Sequence, residues 1–376
     1  MTTAAQTPLG KLLAARIHEH GPITFADYMA ACLYHPEHGY YSRVESHRFA
    51  DYFTSVDVHP IFGRLLARQL AEMWDRCERP AEFVVVEAGA GVGRLAVHIL
   101  DFAARALPEF YTALRYVAVE QSGARRAAHD SVLAAHIFAG HSASAAALPQ
   151  EVPRGCIFSN ELLDALPVHR VQCEHGELRE IYVGLSGDAL CDQVGPLSSP
   201  ELGTYLSGHG IKLLEGQQSE VGLSACIWIH EAGMCLRKGF VVTIDYGREA
   251  RELYDERHLR GTLLAYTRNR AAEDFYAAPG EQDLTAHVNF SALDLAGGAS
   301  GLARLGLVSQ SQFLLALGRA NEFADLYDDG QTEAERVRAR LLLKTLIFPE
   351  GMGETFSVLI HSKGVADPTL TGLIPL

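Results

Sequence analysis

Twelve residues constrain this chain more than any others: Phe83-Val84-Val85-Val86-Glu87-Ala88-Gly89-Ala90-Gly91-Val92-Gly93-Arg94. An unalternating run of β-favouring apolar residues predicts a strand covered on both faces. The apolar spacing from Val92 through Leu95, Ile99 and Leu100 then switches to helical period. The segment therefore predicts a strand, an acid, a glycine turn and the opening of a helix. Glycines at 89, 91 and 93 allow positive φ and close approach of a ligand, and the helix amino end offers unpaired N–H groups.

The spacing narrows the ligand. A dinucleotide fingerprint counted from Gly89 needs a third glycine at 94, and Arg94 stands there. The pattern is instead Glu-x-Gly-x-Gly-x-Gly, with Glu87 placed to face a cation better than a pyrophosphate. S-adenosylmethionine carries two such cations, a sulfonium and an α-ammonium. A second apolar run, Leu114–Val119, ends in Glu120, and an acid at that place accepts hydrogen bonds from ribose hydroxyls in doubly wound nucleoside sites. Glu87 and Glu120 together suit an adenosyl ligand.

The chain has 376 residues, is 48% hydrophobic and 21% charged, and can bury one large core with an appendage. No apolar run approaches the roughly 18 residues of a membrane helix, and residues 1–21 lack the apolar core of a signal peptide, so a cytoplasmic location is expected. A formal charge of −14 opposes nucleic-acid binding and favours a cationic partner. Seven scattered cysteines without a C-x-x-C pair predict reduced thiols, and the histidines make no metal signature, so no metal is expected. Homodimerisation is left open.

Along the chain, residues 8–34 predict two helices broken at Gly21-Pro22, and a further helix is expected over 61–77. Strands are expected at 83–87, 114–119, 136–140, 156–159 and 240–244, with a helix over 223–236. Alternation with turns at 174–177 and 186–188 predicts an antiparallel hairpin insertion. A charged helix near 332–346 and a strand at 355–361 close the chain. The expected organisation is an α/β doubly wound sheet over 79–376, with an insertion at about 167–220. An amino-terminal helical region, 1–78, is expected to cover the site.

At Ser159-Asn160-Glu161-Leu162-Leu163-Asp164-Ala165-Leu166-Pro167 the sequence resembles the MidA family of S-adenosylmethionine-dependent methyltransferases. Mitochondrial members of that family assist complex I assembly by methylating a protein arginine. The resemblance extends through Ile23-Thr24-Phe25-Ala26-Asp27-Tyr28-Met29, Gly39-Tyr40-Tyr41, 51–63, the glycine motif, 239–247 and 279–290. One segment departs from the family: its members read Thr-Ser-Pro-Glu where this chain has Thr54-Ser55-Val56-Asp57, and Ala50 replaces a usual glycine. The resemblance implies a class I methyltransferase sheet and cofactor binding by Glu87, Gly89, Gly91, Gly93 and Glu120. It also implies an arginine acceptor on a protein.

Methyl transfer is an in-line displacement that needs alignment, desolvation and an acceptor lone pair. Carboxylates hold a guanidinium by paired hydrogen bonds, which makes Glu161 and Asp164 the leading acids. They follow the fourth expected strand, and their i, i+3 spacing on a helical turn would put them on one side. Asn160 is a candidate to orient the acceptor or the methionine end of the cofactor, or to cap a helix. His287, with Asp283 orienting it, is a candidate proton acceptor. Asp245 and Tyr246 are candidates to line the site, and Tyr40 and Tyr41 are expected in packing. Two other activities stay open: methylation of a small molecule at nitrogen or oxygen, and a non-catalytic assembly factor that binds S-adenosylmethionine.

Overall fold

The computed structural model describes residues 7–42, 58–267, 270–348, 352–366 and 368–375. The 51–57 stretch, with the Val56-Asp57 departure, lies outside the described residues. Contacts group the chain into two units, each discontinuous in sequence. The first comprises Met1–Tyr52, Leu163–Trp228 and Gly247–Leu295, and the second Phe53–Leu162, Ile229–Tyr246 and Ala296–Leu376. These cuts differ from the division expected at residue 78. Helix Ile61–Arg76 packs with the second unit, and a further excursion, Gly247–Leu295, joins the first.

The second unit is built on a sheet whose strand order across the face is Ser142–Ala145, Leu114–Val119, Phe83–Ala88, Val152–Asn160, Leu236–Arg248, Phe356–Lys363, Ala303–Ser309. The first five are parallel; Phe356–Lys363 runs antiparallel to both its neighbours. Parallel strands covered on both faces must be apolar throughout, and Val85, Val86, Ile157, Phe158, Val241 and Val242 are fully buried. Each such side chain stabilises the fold by about 2 kcal/mol. Helices Ile61–Arg76 and Arg94–Ala106 pack closely, because Gly63 leaves room for His98: a Cβ at 63 would sit 2.6 Å from the His98 Cβ. Residues 325–328 are clasped to these helices by Arg64 and Arg105 on Asp328 and by Arg68 on Asp325.

The first unit contains helices Pro8–His20 and Phe25–Tyr34, capped by Thr7 and Thr24. They pack on an antiparallel sheet ordered Ile23–Thr24, Glu177–Ser186, His169–Glu174, Gln218–Val221, with Ala189–Gly195 also paired to Glu177–Ser186. The expected hairpin insertion is thus a meander within a separate unit. A small sheet of Arg270–Ala272, Leu264–Thr267 and Asp283–Thr285 completes it. Residues 247 and 248 pair in parallel with Val288 and Asn289 in the same unit.

One expected strand is corrected. Residues 136–140 fall in helix Ala134–Phe138 and the turn after it, and the third parallel strand is Ser142–Ala145. Among the described residues no helix is long and apolar enough to cross a membrane.

Candidate active site

After Phe83–Ala88 the chain lays its next two strands on one side and then returns to place Val152–Asn160 on the other. The order reverses between Phe83–Ala88 and Val152–Asn160. The carboxyl ends of strands at such a reversal leave a crevice where open α/β sheets bind ligands. Ala88 pairs with Ser159, so the glycine turn and Asn160-Glu161 leave the sheet side by side.

The turn takes the backbone form that its glycines permit: Gly89, Gly91 and Gly93 have φ of 76°, 57° and 87°. Its N–H groups are mostly turned inward. Gly89 and Ala90 donate to the Val119 carbonyl, both at 2.9 Å, and Gly93 donates to Ala90 at 2.9 Å. Gly91 N–H donates to Glu120 Oε2 at 2.9 Å, and Ser122 N–H donates to Glu120 Oε1 at 2.7 Å. Two of the roughly four acceptor positions of that carboxylate are thereby used. The Val92 N–H has no partner among the described residues, and helix Arg94–Ala106 opens directly after it.

Glu87 is the penultimate residue of the strand beneath the turn and is 4% exposed. The Tyr116 hydroxyl donates to its Oε2 at 2.7 Å. Burial pushes the Glu87 carboxyl up to about 7; the Tyr116 bond works against this shift and nearby Glu120 adds to it. Asn160 Nδ2 donates to Glu161 Oε1 at 3.1 Å, and Asn160 Oδ1 is buried with no hydrogen-bond partner among the described residues.

Glu161 does not begin a helical turn. It adopts φ of 53°, a left-handed conformation uncommon for a residue with a side chain. The cause is tertiary: Glu161 N–H donates to the Ile244 carbonyl at 3.0 Å, and Leu162 N–H donates to the buried Asp245 carboxylate at 3.1 Å. These bonds carry the chain across strand Leu236–Arg248 instead of into a helix. The expected i, i+3 pairing of Glu161 with Asp164 on a helical turn is therefore corrected.

Glu87, Gly89, Gly91, Gly93, Glu120, Asn160 and Glu161 are brought together in the second unit. Asp164 and His287 belong to the first, where the Asp164 carbonyl accepts from Ala286 N–H at 2.9 Å. Burial, helped by His258 and Arg248, holds the His287 imidazole down at about 4, so the ring is neutral across the physiological range. Asp283 does not orient it. That carboxylate accepts from the Tyr41 hydroxyl at 2.7 Å, which gives Tyr41 a polar partner beyond the expected packing.

A residue that sequence reasoning passed over is His129, fully buried behind the turn. Its Nε2 donates to the Gly91 carbonyl at 2.9 Å, and its Nδ1 accepts from the Ser144 hydroxyl at 2.8 Å. A lone histidine on a short helix carries no motif. Only the fold reveals its position.

The arrangement offers a free amide acceptor at Asn160, spare carboxylate positions on Glu120, an acid at Glu87, and N–H donors at Val92 and the helix start. This donor and acceptor set suits a zwitterionic, ribose-bearing ligand with a positive centre. A family model described as "Putative S-adenosyl-L-methionine-dependent methyltransferase" matches residues 65–308. The protein arginine methyltransferase NDUFAF7 of Bos taurus is 29% identical, with 94% of this chain and 83% of that protein covered. The Drosophila melanogaster homologue is 27% identical, covering 95% and 85%. A COG1565 superfamily member from Burkholderia thailandensis, crystallised with S-adenosyl-homocysteine, superposes with a TM-score of 0.86 at 32% identity, over 97% of this chain and 94% of that one. The cytoplasmic location expected from composition is overturned by the curated relatives, which are named as mitochondrial proteins. Sheet order and turn chemistry agree with what these matches independently report: the chain belongs to this family of S-adenosyl-L-methionine-dependent methyltransferases.

Proposed function

We propose that this methyltransferase modifies an arginine nitrogen of a protein partner. The observation that carries the reading is similarity over more than nine-tenths of the chain to proteins named as arginine methyltransferases, coupled with an acid, Glu161, held in a left-handed turn beside the glycine loop. S-adenosylmethionine supplies an electrophilic methyl group. Glu120 would accept from its ribose hydroxyls, Asn160 Oδ1 and Glu87 would face its cationic groups, and Val92 N–H with the helix start would receive its carboxylate. Gly89, Gly91 and Gly93 keep that wall free of side chains.

A guanidinium has a pKa above 12 and spreads its lone pair over three nitrogens. A carboxylate that binds two of its N–H groups localises electron density on the third, and accepts the proton the product nitrogen must lose. Glu161 is assigned that task. Its strained backbone supports the assignment, since such conformations persist where the surroundings over-determine them, and they cluster at functional sites.

The test incubates the protein with S-adenosylmethionine and candidate partner proteins, and looks for methylarginine by peptide mass spectrometry. Glu161→Gln is expected to retain S-adenosyl-homocysteine affinity and lose methylation by about a hundredfold or more, the scale of a general base. Wild-type turnover in that variant removes Glu161 from the mechanism. Asp164→Asn and His287→Asn in the same assay decide whether those residues contribute. Methylation confined to small molecules would replace the protein acceptor, and cofactor binding without turnover on any acceptor would leave only the assembly-factor reading.

A further inference from the structure

Gly91 is gripped through both of its flanking peptide groups. Its N–H is held by Glu120 at the end of one parallel strand, and its carbonyl by His129, whose ring is itself anchored by Ser144 on the edge strand Ser142–Ala145. Carbonyl and N–H point in opposite directions across a planar trans peptide. A hydrogen bond that pulls the Gly91 carbonyl toward His129 therefore turns the Val92 N–H away from it, as an unspent donor of the turn. The ring also backs the third glycine: a Cβ at Gly93 would lie 3.3 Å from His129 Cδ2 and 3.6 Å from Leu133. His129 is fully buried, and its two bonds assign its tautomer, with the proton on Nε2 for Gly91 and the lone pair on Nδ1 for Ser144.

We propose that His129 is a positioning residue for the cofactor: through the Gly91 carbonyl it sets the orientation of the Val92 N–H and so pre-organises the glycine turn for the carboxylate end of S-adenosylmethionine. It makes no contact with the methyl group or the acceptor. Its effect is on cofactor affinity, since a turn left to sample other orientations must be ordered on binding. The proposal rests on the glycine turn being the cofactor site.

Calorimetric titration with S-adenosyl-homocysteine tests it, with thermal unfolding of each ligand-free protein recorded alongside. His129→Phe keeps the ring's bulk and removes both hydrogen bonds, and is expected to weaken binding by about tenfold, the worth of one buried hydrogen bond. His129→Gln restores a side-chain N–H for the Gly91 carbonyl and is expected to recover most of that loss, a rescue that general destabilisation would not produce. Ser144→Ala frees the ring without touching the core and is expected to weaken binding about threefold. Wild-type affinity in His129→Phe overturns the proposal, and so does weakened binding that His129→Gln fails to recover. If His129→Phe does not fold, Ser144→Ala decides, and unchanged affinity there overturns it. Failure of the wild-type protein to bind S-adenosyl-homocysteine would instead sink the cofactor site itself, a separate outcome.

Discussion

Glu87 is ionisable, buried, and joined by hydrogen bond to a hydroxyl rather than to a cation. Burial is the main reason its carboxyl rises from 4.5 to about 7, and the groups facing it are Tyr116, which lowers it, and Glu120, which raises it. In the unfolded chain the group titrates near its ordinary value, so between the two values the folded state holds the extra proton. Stability from this source is complete below about 4.5 and lost as pH rises through about 7, a change of about 3 kcal/mol. The ligand-free protein should therefore lose stability between pH 5 and pH 8 relative to Glu87→Gln, which cannot ionise. Equal pH dependence of the melting temperature in the two proteins would show that Glu87 is ordinary in the native state. A bound cation reverses the preference, so S-adenosylmethionine should gain affinity over the same pH range in the wild type and not in the variant.

At the scale of elements, the strands that build the site are the most legible part of the sequence, because a short β-branched run such as Val84-Val85-Val86, closed by glycines, favours a covered strand over a buried helix. Ser142–Ala145 was hidden for the converse reason. It lies at the sheet edge, its Ala143 and Ser144 are exposed, and small polar residues give no periodic signal. The apolar residues just before it, Ile137 and Phe138, drew the strand assignment to a helix. Glu161 shows a further limit: its spacing to Asp164 is helical, yet two bonds to residues more than 80 positions away fix a different turn. The sheet also contains a close approach that no local pattern announces. Gly155 pairs with Val84 on one side and Gly239 on the other, and a Cβ at 155 would be driven into the Val84 carbonyl. Backbone in the middle of a sheet cannot move aside. Gly155→Ala should cost about 3 kcal/mol or more, read as a lowered urea midpoint with unchanged slope. A wild-type midpoint would mean the two strands are further apart than described.

At the scale of the whole molecule, the two units interleave three times along the chain, which is why a division at one point near residue 78 was the wrong kind of expectation. Segments 163–228 and 247–295 fold with the amino-terminal helices around one buried apolar cluster that includes Phe25, Leu33, Val183 and Leu284, and long-range packing of that sort leaves no boundary signal in composition. Charge, by contrast, is a property of the entire chain that sequence does convey. With 46 acidic and 32 basic side chains, the protein carries an excess negative field toward any arginine-bearing partner segment. Screening shortens the reach of that field from about 10 Å at 0.1 M salt to about 3 Å at 1 M. Methylation of the partner identified by mass spectrometry should therefore lose about tenfold in kcat/KM between these two salt concentrations, chiefly through slower encounter. S-adenosyl-homocysteine has no net charge and should bind with nearly the same affinity at both. A partner whose kcat/KM is indifferent to salt would be recognised by contacts other than this field, and a parallel loss of S-adenosyl-homocysteine binding would place the salt effect in the fold rather than in the encounter.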